Sequence, residues 1–297
     1  MPELFTLVAN VLDESFNIQE TKNYDLSVVF SETGFACSIL DYRRSKYLGI
    51  QQVKRNDPGS NPKYKGIKPG FEDFLKNAFA ALPWLKNQYR SIHIAVETKK
   101  STLIPAVLFD SQERQNYLNF NFTGGEEERI LSDHLISADI QHVYSIPEKI
   151  YTALKGHFPQ VNPVSYASVV IASVWIHYKN RINNNRVFLH VGDHRCEILL
   201  FDGHRMSYFN TFPYQNREDI VYYLIFVMEQ LNQNPENTPV ILLGNIDKNN
   251  PILELIYRYV RHVEFVRRNE SFKYSHTLNQ FPPHFFYPLL NFQICGL

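Results

Sequence analysis

Four polar side chains that could bind a metal ion or transfer a proton follow one another closely in the sequence: His190, Asp193, His194 and His204. Imidazole nitrogens and carboxylate oxygens are common zinc ligands and common general acids or bases. Their spacing fits no compact ligand pattern, and successive side chains of a β-strand point to opposite faces. We therefore predict no metal site here and interpret His190 as a core or cleft histidine bonded to a neighbouring group.

The sequence lacks the short motifs that mark the commonest enzyme classes. No GxxxxGK[ST], GxGxxG, HExxH or GxSxG pattern occurs. The chain therefore has no signature of a phosphate loop, a dinucleotide site, a zinc protease helix or a nucleophile elbow. The acidic run Gly124-Gly125-Glu126-Glu127-Glu128 is interpreted as a solvated loop tip rather than as a cation loop.

One segment combines basic and aromatic side chains, a pattern that can contact RNA by phosphate binding and base stacking. Its members are Arg258, Arg261, His262, Arg267 and Arg268, interleaved with Tyr257, Tyr259 and Phe265. The 30 basic residues of the chain are balanced by 30 acidic ones, so no net field attracts nucleic acid or anionic lipid. We interpret the segment as a solvated helix face and predict neither a nucleic-acid nor a membrane partner.

The composition is typical of a globular protein from a reducing compartment. A chain of 297 residues with 44% hydrophobic content can bury roughly three quarters of its unfolded surface. The amino terminus has no basic region ahead of an apolar run, and the most apolar stretch, Tyr166 to Tyr178, is shorter than the roughly 20 residues that span a bilayer. We predict a buried helix there. Cys37, Cys196 and Cys295 show no CxxC spacing and are predicted to be core thiols, so we expect a cytoplasmic location.

The first half of the chain is predicted to begin with strands joined by hairpins. Its β-rich segments are Leu26 to Phe30, Phe35 to Leu40 and Tyr47 to Val53. A loop rich in Asn, Pro, Gly and Lys follows at 55–70, and apolar residues then recur at helical spacing from Phe71 to Ala78. Ser91 to Val96 alternates as a strand, and further helices are predicted at Gln112 to Leu118 and at Ile146 to Leu154.

The second half repeats this order. Its β-rich segments are Val187 to Val191, Cys196 to Phe201 and Met206 to Phe212. A helix follows at Glu218 to Leu231, then the fully apolar strand Pro239 to Leu243, then a helix at Ile252 to Val260. Strands that are apolar on both faces are typical of a parallel sheet covered by helices. The aromatic segment from Phe281 to Leu290 is predicted to close over the core.

A weak internal repeat relates the two halves. A gapless alignment that sets Val28 on Val187 brings the turns together and places Cys37 on Cys196. We therefore predict a duplicated α/β unit, with a first subdomain at residues 1–160 and a second at residues 161–297.

This duplicated order resembles the actin, sugar kinase and Hsp70 superfamily, whose ribonuclease H-like fold includes the actin-like assembly proteins of type IV pili and of bacterial division. The run His190-Val191-Gly192-Asp193, with NTFPY at 210–214 and EDIVYYL at 218–224, is more closely similar to a bacterial domain-of-unknown-function family with a degenerate actin-like ATPase fold. The resemblance covers the chain from about Tyr24 onward. It implies two subdomains around a cleft and leaves the activity open.

The superfamily resemblance implies two hairpin turns that clamp phosphates through backbone N–H groups, each with an Asp that positions Mg²⁺ through water. Mg²⁺ requires oxygen ligands, which is why a carboxylate stands there. The first turn is Ser31-Glu32-Thr33-Gly34, with Ser31 at the acid position. The second contains His190, Gly192, Asp193 and His194, with the imidazole of His190 at that position. The Gly-Gly adenosine motif is reduced to Gly244-Asn245.

These residues are candidates for a degenerate nucleotide cleft, which we expect to be partly filled by Phe35 and His190. We predict no catalytic residue, no metal and no resident cofactor, with ATP and Mg²⁺ bound more weakly than about 1 mM. The favoured function is a non-catalytic binding or scaffold protein whose partner is another protein. Two alternatives remain: an actin-like ATPase or kinase in which Glu32 or Asp193 serves as an unorthodox metal ligand, and an RNA-associated accessory protein.

Overall fold

The fold was analysed in a computed structural model of the chain. It describes residues 5–56, 70–123, 127–178, 184–203, 205–247 and 249–297. Most of the predicted loop at 55–70 lies outside the described residues, as do His204 and the first part of the acidic run, residues 124–126.

The chain forms two compact units. Unit 1 comprises Met1–Val169 with the returning segments Ser271–Leu278 and Gly296–Leu297, and unit 2 comprises Val170–Glu270 and Asn279–Cys295. The predicted subdomains at residues 1–160 and 161–297 stay a prediction.

Unit 1 contains a large sheet and a small one. Its strands are β1 (Phe5–Leu12), β2 (Tyr24–Ser31), β3 (Gly34–Asp41), β4 (Lys46–Arg55), β5 (Ser91–Val96), β6 (Ser101–Pro105), β7 (Glu128–Leu135), β8 (Ile140–Pro147) and β9 (Val164–Ser165). The large sheet has the order β1-β4-β3-β2-β5-β9, in which β5 is parallel to both β2 and β9. The small antiparallel sheet has the order β6-β8-β7.

In unit 1, the spacing of apolar residues predicts the first helix, and a proline marks the start of the third. They are α1 (Phe71–Ala81), α2 (Arg114–Asn119), α3 (Glu148–His157) and α4 (Tyr166–Tyr178), the last of which continues into unit 2. Helix α1 buries Phe74, Leu75 and Ala78 in the core, as its spacing predicted. The helix predicted from Ile146 was wrong at its start, because Ile146 belongs to β8 and α3 begins after Pro147, a residue suited to a helix entrance.

The described residues of unit 2 form one sheet. Its strands are β10 (Arg186–Val191), β11 (Arg195–Asp202), β12 (Arg205–Pro213), β13 (Val240–Gly244) and β14 (Val263–Phe265), and its further helices are α5 (Arg217–Gln230) and α6 (Pro251–Tyr259). The order is β12-β11-β10-β13-β14, with β13 parallel to both β10 and β14. The path β4-β3-β2-β5-β9 of unit 1 has the same pattern of directions, so the predicted duplication is confirmed at the level of topology.

The gapless alignment of the two hairpins was wrong in detail. Val28 pairs with Cys37, whereas its aligned residue Val187 pairs with Leu200, four positions beyond Cys196. The first hairpin turns through two residues after the last pair, Ser31 with Gly34, and the second turns through four after Val191 with Cys196. Because loop length sets the register of a hairpin, the two strand pairs cannot share one offset.

The carboxyl-terminal segment serves both units. Strand β15 (Lys273–Tyr274) pairs with β4, and Tyr274 stacks on Tyr47 at a centroid distance of 5.7 Å. In unit 2, His284 Nε2 lies 2.5 Å from the carbonyl oxygen of Ile246. Tyr287 and Leu290 are buried, so the predicted closure over the core is confirmed. Helix α4 is buried as predicted, and none of the helices in the described ranges has the length and apolar character to cross a bilayer.

Candidate functional site

The first candidate turn is closed by its own hydroxyl groups. Ser31, at the position where the superfamily carries an acid, accepts a hydrogen bond from the Thr33 backbone N–H at 3.3 Å and contacts Thr33 Oγ1 at 3.0 Å. Gly34 has φ +149°, and a Cβ there would lie 1.9 Å from the carbonyl oxygen of Val53. Glycine is therefore required by the close approach of β4, whether or not the turn binds a phosphate.

Glu32, the nearest carboxylate of that turn, is engaged by a cation. Its Oε1 lies 2.5 Å from Lys99 Nζ, and the two side chains are 65% and 66% exposed. Lys99 follows β5, which is parallel to β2, and the carboxyl ends of neighbouring parallel strands meet at one edge of the sheet. Lys99 was missed from the sequence, although its place in the short segment after β5 could have drawn attention to it.

The second candidate turn carries a buried histidine and a buried acid. His190 Nδ1 lies 2.6 Å from Glu197 Oε2, and the side chains are only 4% and 3% exposed. The two residues are cross-strand neighbours of β10 and β11. The prediction that His190 is bonded to a neighbouring group is confirmed. Glu197 was missed because the hairpin register was needed to place it opposite His190.

Tyr214 holds the backbone of the second turn. Its hydroxyl donates to the carbonyl oxygens of Gly192 at 2.5 Å and of Asp193 at 3.1 Å. Its backbone N–H donates to the carbonyl oxygen of His194 at 3.1 Å. The Gly192 N–H donates to the carbonyl oxygen of Arg195 at 2.9 Å. Gly192 is not among the described glycines with positive φ, so this turn does not depend on a left-handed glycine.

Gly244 and Asn245 join this turn from the neighbouring parallel strand. Gly244 has φ +92°, and a Cβ there would lie 2.3 Å from the Val191 carbonyl oxygen and 2.9 Å from His190 Cδ2. The Asn245 N–H donates to the Val191 carbonyl oxygen at 2.6 Å, and Asn245 Nδ2 donates to Asp193 Oδ1 at 3.1 Å. Close packing of the His190 ring is therefore sufficient to explain the glycine at this strand end.

The predicted site residues thus fall into two groups. One turn of unit 1 contains Ser31 to Gly34, and one strand edge of unit 2 brings together His190, Asp193, Gly244 and Asn245. Phe35 was misplaced in the prediction, because it is 3% exposed in the unit 1 core and its ring centroid lies 6.0 Å from that of Phe74. Within the described ranges, no cluster of three or more His, Cys, Asp or Glu side chains is arranged to hold a metal ion.

A buried polar network of unit 1 was missed altogether. Asp133 accepts hydrogen bonds from Tyr144 Oη at 2.8 Å, Ser168 Oγ at 2.6 Å and the Ser165 N–H at 2.9 Å. His142 Nδ1 lies 2.7 Å from Ser168 Oγ. Burial raises the pKa of Asp133 to about 6 and lowers the pKa of His142 to about 3, since the charged form of each is poorly solvated. The network joins the small sheet to the start of α4.

Solved structures place this architecture among proteins with an actin-like ATPase fold. A protein of that fold and unknown function from Bacteroides thetaiotaomicron VPI-5482 matches with a TM-score of 0.72 and 22% identity, over 84% of this chain and 93% of that chain. A chain of the PilM-PilN type IV pilus biogenesis complex matches with a TM-score of 0.58 and 11% identity, over 92% of this chain and 98% of that chain. The predicted fold class is confirmed.

The chain belongs to the family "Protein of unknown function (DUF3822)", whose model matches residues 13–263. The predicted resemblance to a domain-of-unknown-function family is therefore confirmed. Among curated proteins, none matches the chain significantly.

Proposed function

We propose that this protein is a non-catalytic binding or scaffold protein, a pseudo-ATPase that keeps the actin-like architecture without using its chemistry. The observation that carries the proposal is the state of His190. Its imidazole is buried against Glu197 and packed over Gly244, at the position where the superfamily resemblance expects a solvated metal-anchoring acid. The only carboxylate of this pair, that of Glu197, is bonded to the imidazole and buried, whereas Mg²⁺ keeps several of its waters and needs a solvated carboxylate.

The first turn supports the same proposal. The Thr33 N–H, a donor that a phosphate clamp would use, is bonded to Ser31 Oγ. The Glu32 carboxylate, which would have to replace the missing acid, pairs with Lys99. A metal ion at Glu32 would have to displace the Lys99 ammonium group. The positive charge of that group, a few ångströms away, would repel the ion.

We further propose that the partner of this protein is another protein and that it acts in the bacterial cytoplasm. The matched chain comes from the PilM-PilN complex, and its membership of a complex supports a protein partner for this chain as well. Cys37 and Cys196 are free and buried, as expected in a reducing compartment. Burial raises the pKa of Cys37 to about 12, so this thiol is poorly suited to be a nucleophile.

One observation favours the alternative of a nucleotide-binding ATPase or kinase. The Asp193 carboxylate accepts a hydrogen bond from Asn245. Asn245 directly follows Gly244, the last residue of β13. This is the edge of the unit 2 sheet where a ligand of an open α/β fold is expected. In this alternative, Asp193 would anchor a metal ion in place of His190.

Calorimetric titration of the full chain with ATP and ADP, each with and without Mg²⁺ at low salt, separates the two functions. We expect dissociation constants above about 1 mM, which corresponds to less than roughly 4 kcal/mol of binding free energy, and no steady phosphate release. Gly192→Val, Asp193→Ala and Glu32→Ala are the test variants, with Glu229→Ala, at an exposed acid of α5 outside both turns, as the matched control. Micromolar affinity lost in Gly192→Val, or turnover lost in Asp193→Ala or Glu32→Ala, would overturn the scaffold proposal.

A further inference from the structure

Helices α1 and α3 flank a groove on unit 1 whose described lining includes no residue of the first candidate turn. The groove has a volume of about 1110 Å³. Its apolar lining comes from Phe71 at the start of α1 and from Pro147, Ala153 and Gly156 in and beside α3. This size and this lining suit an inserted peptide side chain with its neighbouring backbone.

Gly156 is a glycine that the chain's own packing does not require. It lies within α3 and lines the groove, yet a Cβ built at this position would meet no atom of the described residues within 4 Å. Its φ is not positive, so neither a special backbone conformation nor a close neighbour accounts for it. Glycine is unfavourable in a helix compared with alanine. The missing side chain keeps this part of the groove open.

The charged rim of the groove is acidic. Glu72, Asp73, Glu127 and Glu148 contribute four carboxylates, against the two ammonium groups of Lys76 and Lys149.

Two of these acids are already neutralised within the chain. Glu72 Oε1 pairs with Lys76 Nζ at 2.8 Å, and Glu148 receives two hydrogen bonds from Arg129, at 2.8 and 3.0 Å. Among the described residues, no basic side chain pairs with Asp73 or Glu127, and both are exposed. The Lys149 ammonium group offsets one of these two charges, so the rim keeps an excess of one carboxylate, and charge complementarity favours a partner that brings positive charge.

We propose that the groove between α1 and α3 binds a peptide segment of a partner protein in which Lys or Arg flanks an apolar side chain. The apolar side chain lies over Ala153 and Gly156, and the basic groups pair with Asp73 and Glu127. This inference rests on the proposed function of a protein-binding scaffold and names the surface that performs it.

The test uses the full chain and random dodecapeptides displayed on phage. Selected peptides are synthesised with a fluorescent label and titrated by anisotropy. We expect the selected sequences to combine apolar residues with an excess of Lys and Arg. We expect Gly156→Phe, which fills the groove, to weaken binding at least tenfold, and Asp73→Lys and Glu127→Lys to weaken it several-fold. The matched control is Glu229→Lys, an exposed acid of α5, which leaves affinity unchanged.

Circular dichroism and thermal unfolding check that each variant folds, and Gly156→Gln replaces Gly156→Phe should the larger side chain prevent folding. Selected peptides without a basic excess, or peptides that bind Gly156→Phe as tightly as the wild type, would overturn the proposal. A wild-type dimer that becomes a monomer in Gly156→Phe, seen by light scattering, would overturn it in favour of a second copy of the chain. ATP titration of the same variants separates failure of this groove from failure of the scaffold function.

Discussion

His190 Nδ1 and Glu197 Oε2 lie 2.6 Å apart between two buried side chains. Removing one partner of such a pair leaves a polar group without its hydrogen bond in a medium that solvates it poorly. His190→Ala is therefore expected to lower the free energy of unfolding by about 3 kcal/mol, because it isolates the Glu197 carboxylate. Glu197→Gln keeps a neutral hydrogen bond and is expected to cost about 1 kcal/mol.

Urea unfolding at neutral pH measures both variants, and His194→Ala is the control. The His194 side chain is exposed at the same turn, so its removal is expected to change the free energy of unfolding by less than about 0.5 kcal/mol. Equal costs for His190→Ala and His194→Ala would show that the buried pair does not stabilise unit 2.

Gly244→Ala is predicted to be far more destabilising than Gly203→Ala. Gly244 and Gly203 both have positive φ, +92° and +56°. A Cβ at Gly203 meets no described atom within 4 Å, whereas one at Gly244 would clash with the Val191 carbonyl oxygen. We expect a cost of about 1 kcal/mol for Gly203→Ala from the left-handed conformation alone. We expect more than about 3 kcal/mol for Gly244→Ala, measured by thermal and urea unfolding. Similar costs at the two positions would contradict the close approach of β10.

The pair Asp133 and His142 is predicted to make opposite contributions to the pH dependence of stability. The pKa of Asp133 rises from 3.8 to about 6 on folding, so its contribution is present below about pH 4 and is lost as the pH rises through 6. The pKa of His142 falls from 6.5 to about 3, so its contribution is present above about pH 6.5 and is lost as the pH falls through 3. Between pH 4 and pH 6 the two slopes, each about 1.4 kcal/mol per pH unit, oppose one another.

The single variants separate these slopes. Relative to the wild type, the free energy of unfolding of His142→Asn is expected to fall as the pH rises from 4 to 6, and that of Asp133→Asn is expected to rise. Urea unfolding at intervals across this range measures the difference, with Glu229→Gln as an exposed control. Parallel profiles for all the variants would refute the assignment of the two titrations to these buried groups.

Lys99→Ala is expected to change the free energy of unfolding by less than about 0.5 kcal/mol, because its partner Glu32 and its own side chain are both about two-thirds exposed. Arg90→Ala is the matched comparison. Arg90 pairs with Asp25, which is 1% exposed, so its loss strands a buried carboxylate and is expected to cost about 3 kcal/mol. Chemical unfolding of both variants checks the contrast.

Titration of Lys99→Ala with Mg²⁺ is expected to show no new binding, and micromolar binding would instead support Glu32 as a metal ligand.

The sequence alone determined the elements whose periodicity is strong. The apolar run from Pro239 predicted β13, and the spacing of Phe74, Leu75 and Ala78 predicted α1, because burial on one face imposes its period on the residues. Repetition of these elements predicted a duplicated α/β unit, and the resemblance to the actin superfamily supplied the fold class. Periodicity did not predict β7 and β8, where polar residues such as Asp133 and His142 interrupt the apolar alternation.

Only the tertiary structure decided which polar groups meet. Seven positions separate His190 from Glu197 in the chain, and 35 separate Asp133 from Ser168. The first contact depends on a four-residue hairpin loop, and the second on the packing of the small sheet against the start of α4. Side chains of one sequence can face different partners after a small shift in register, so residue types alone do not determine these contacts. The strand register is selected by packing of the folded core, to which residues from distant parts of the chain contribute. The hydrogen-bond partners in each candidate turn could therefore be identified only from the tertiary structure.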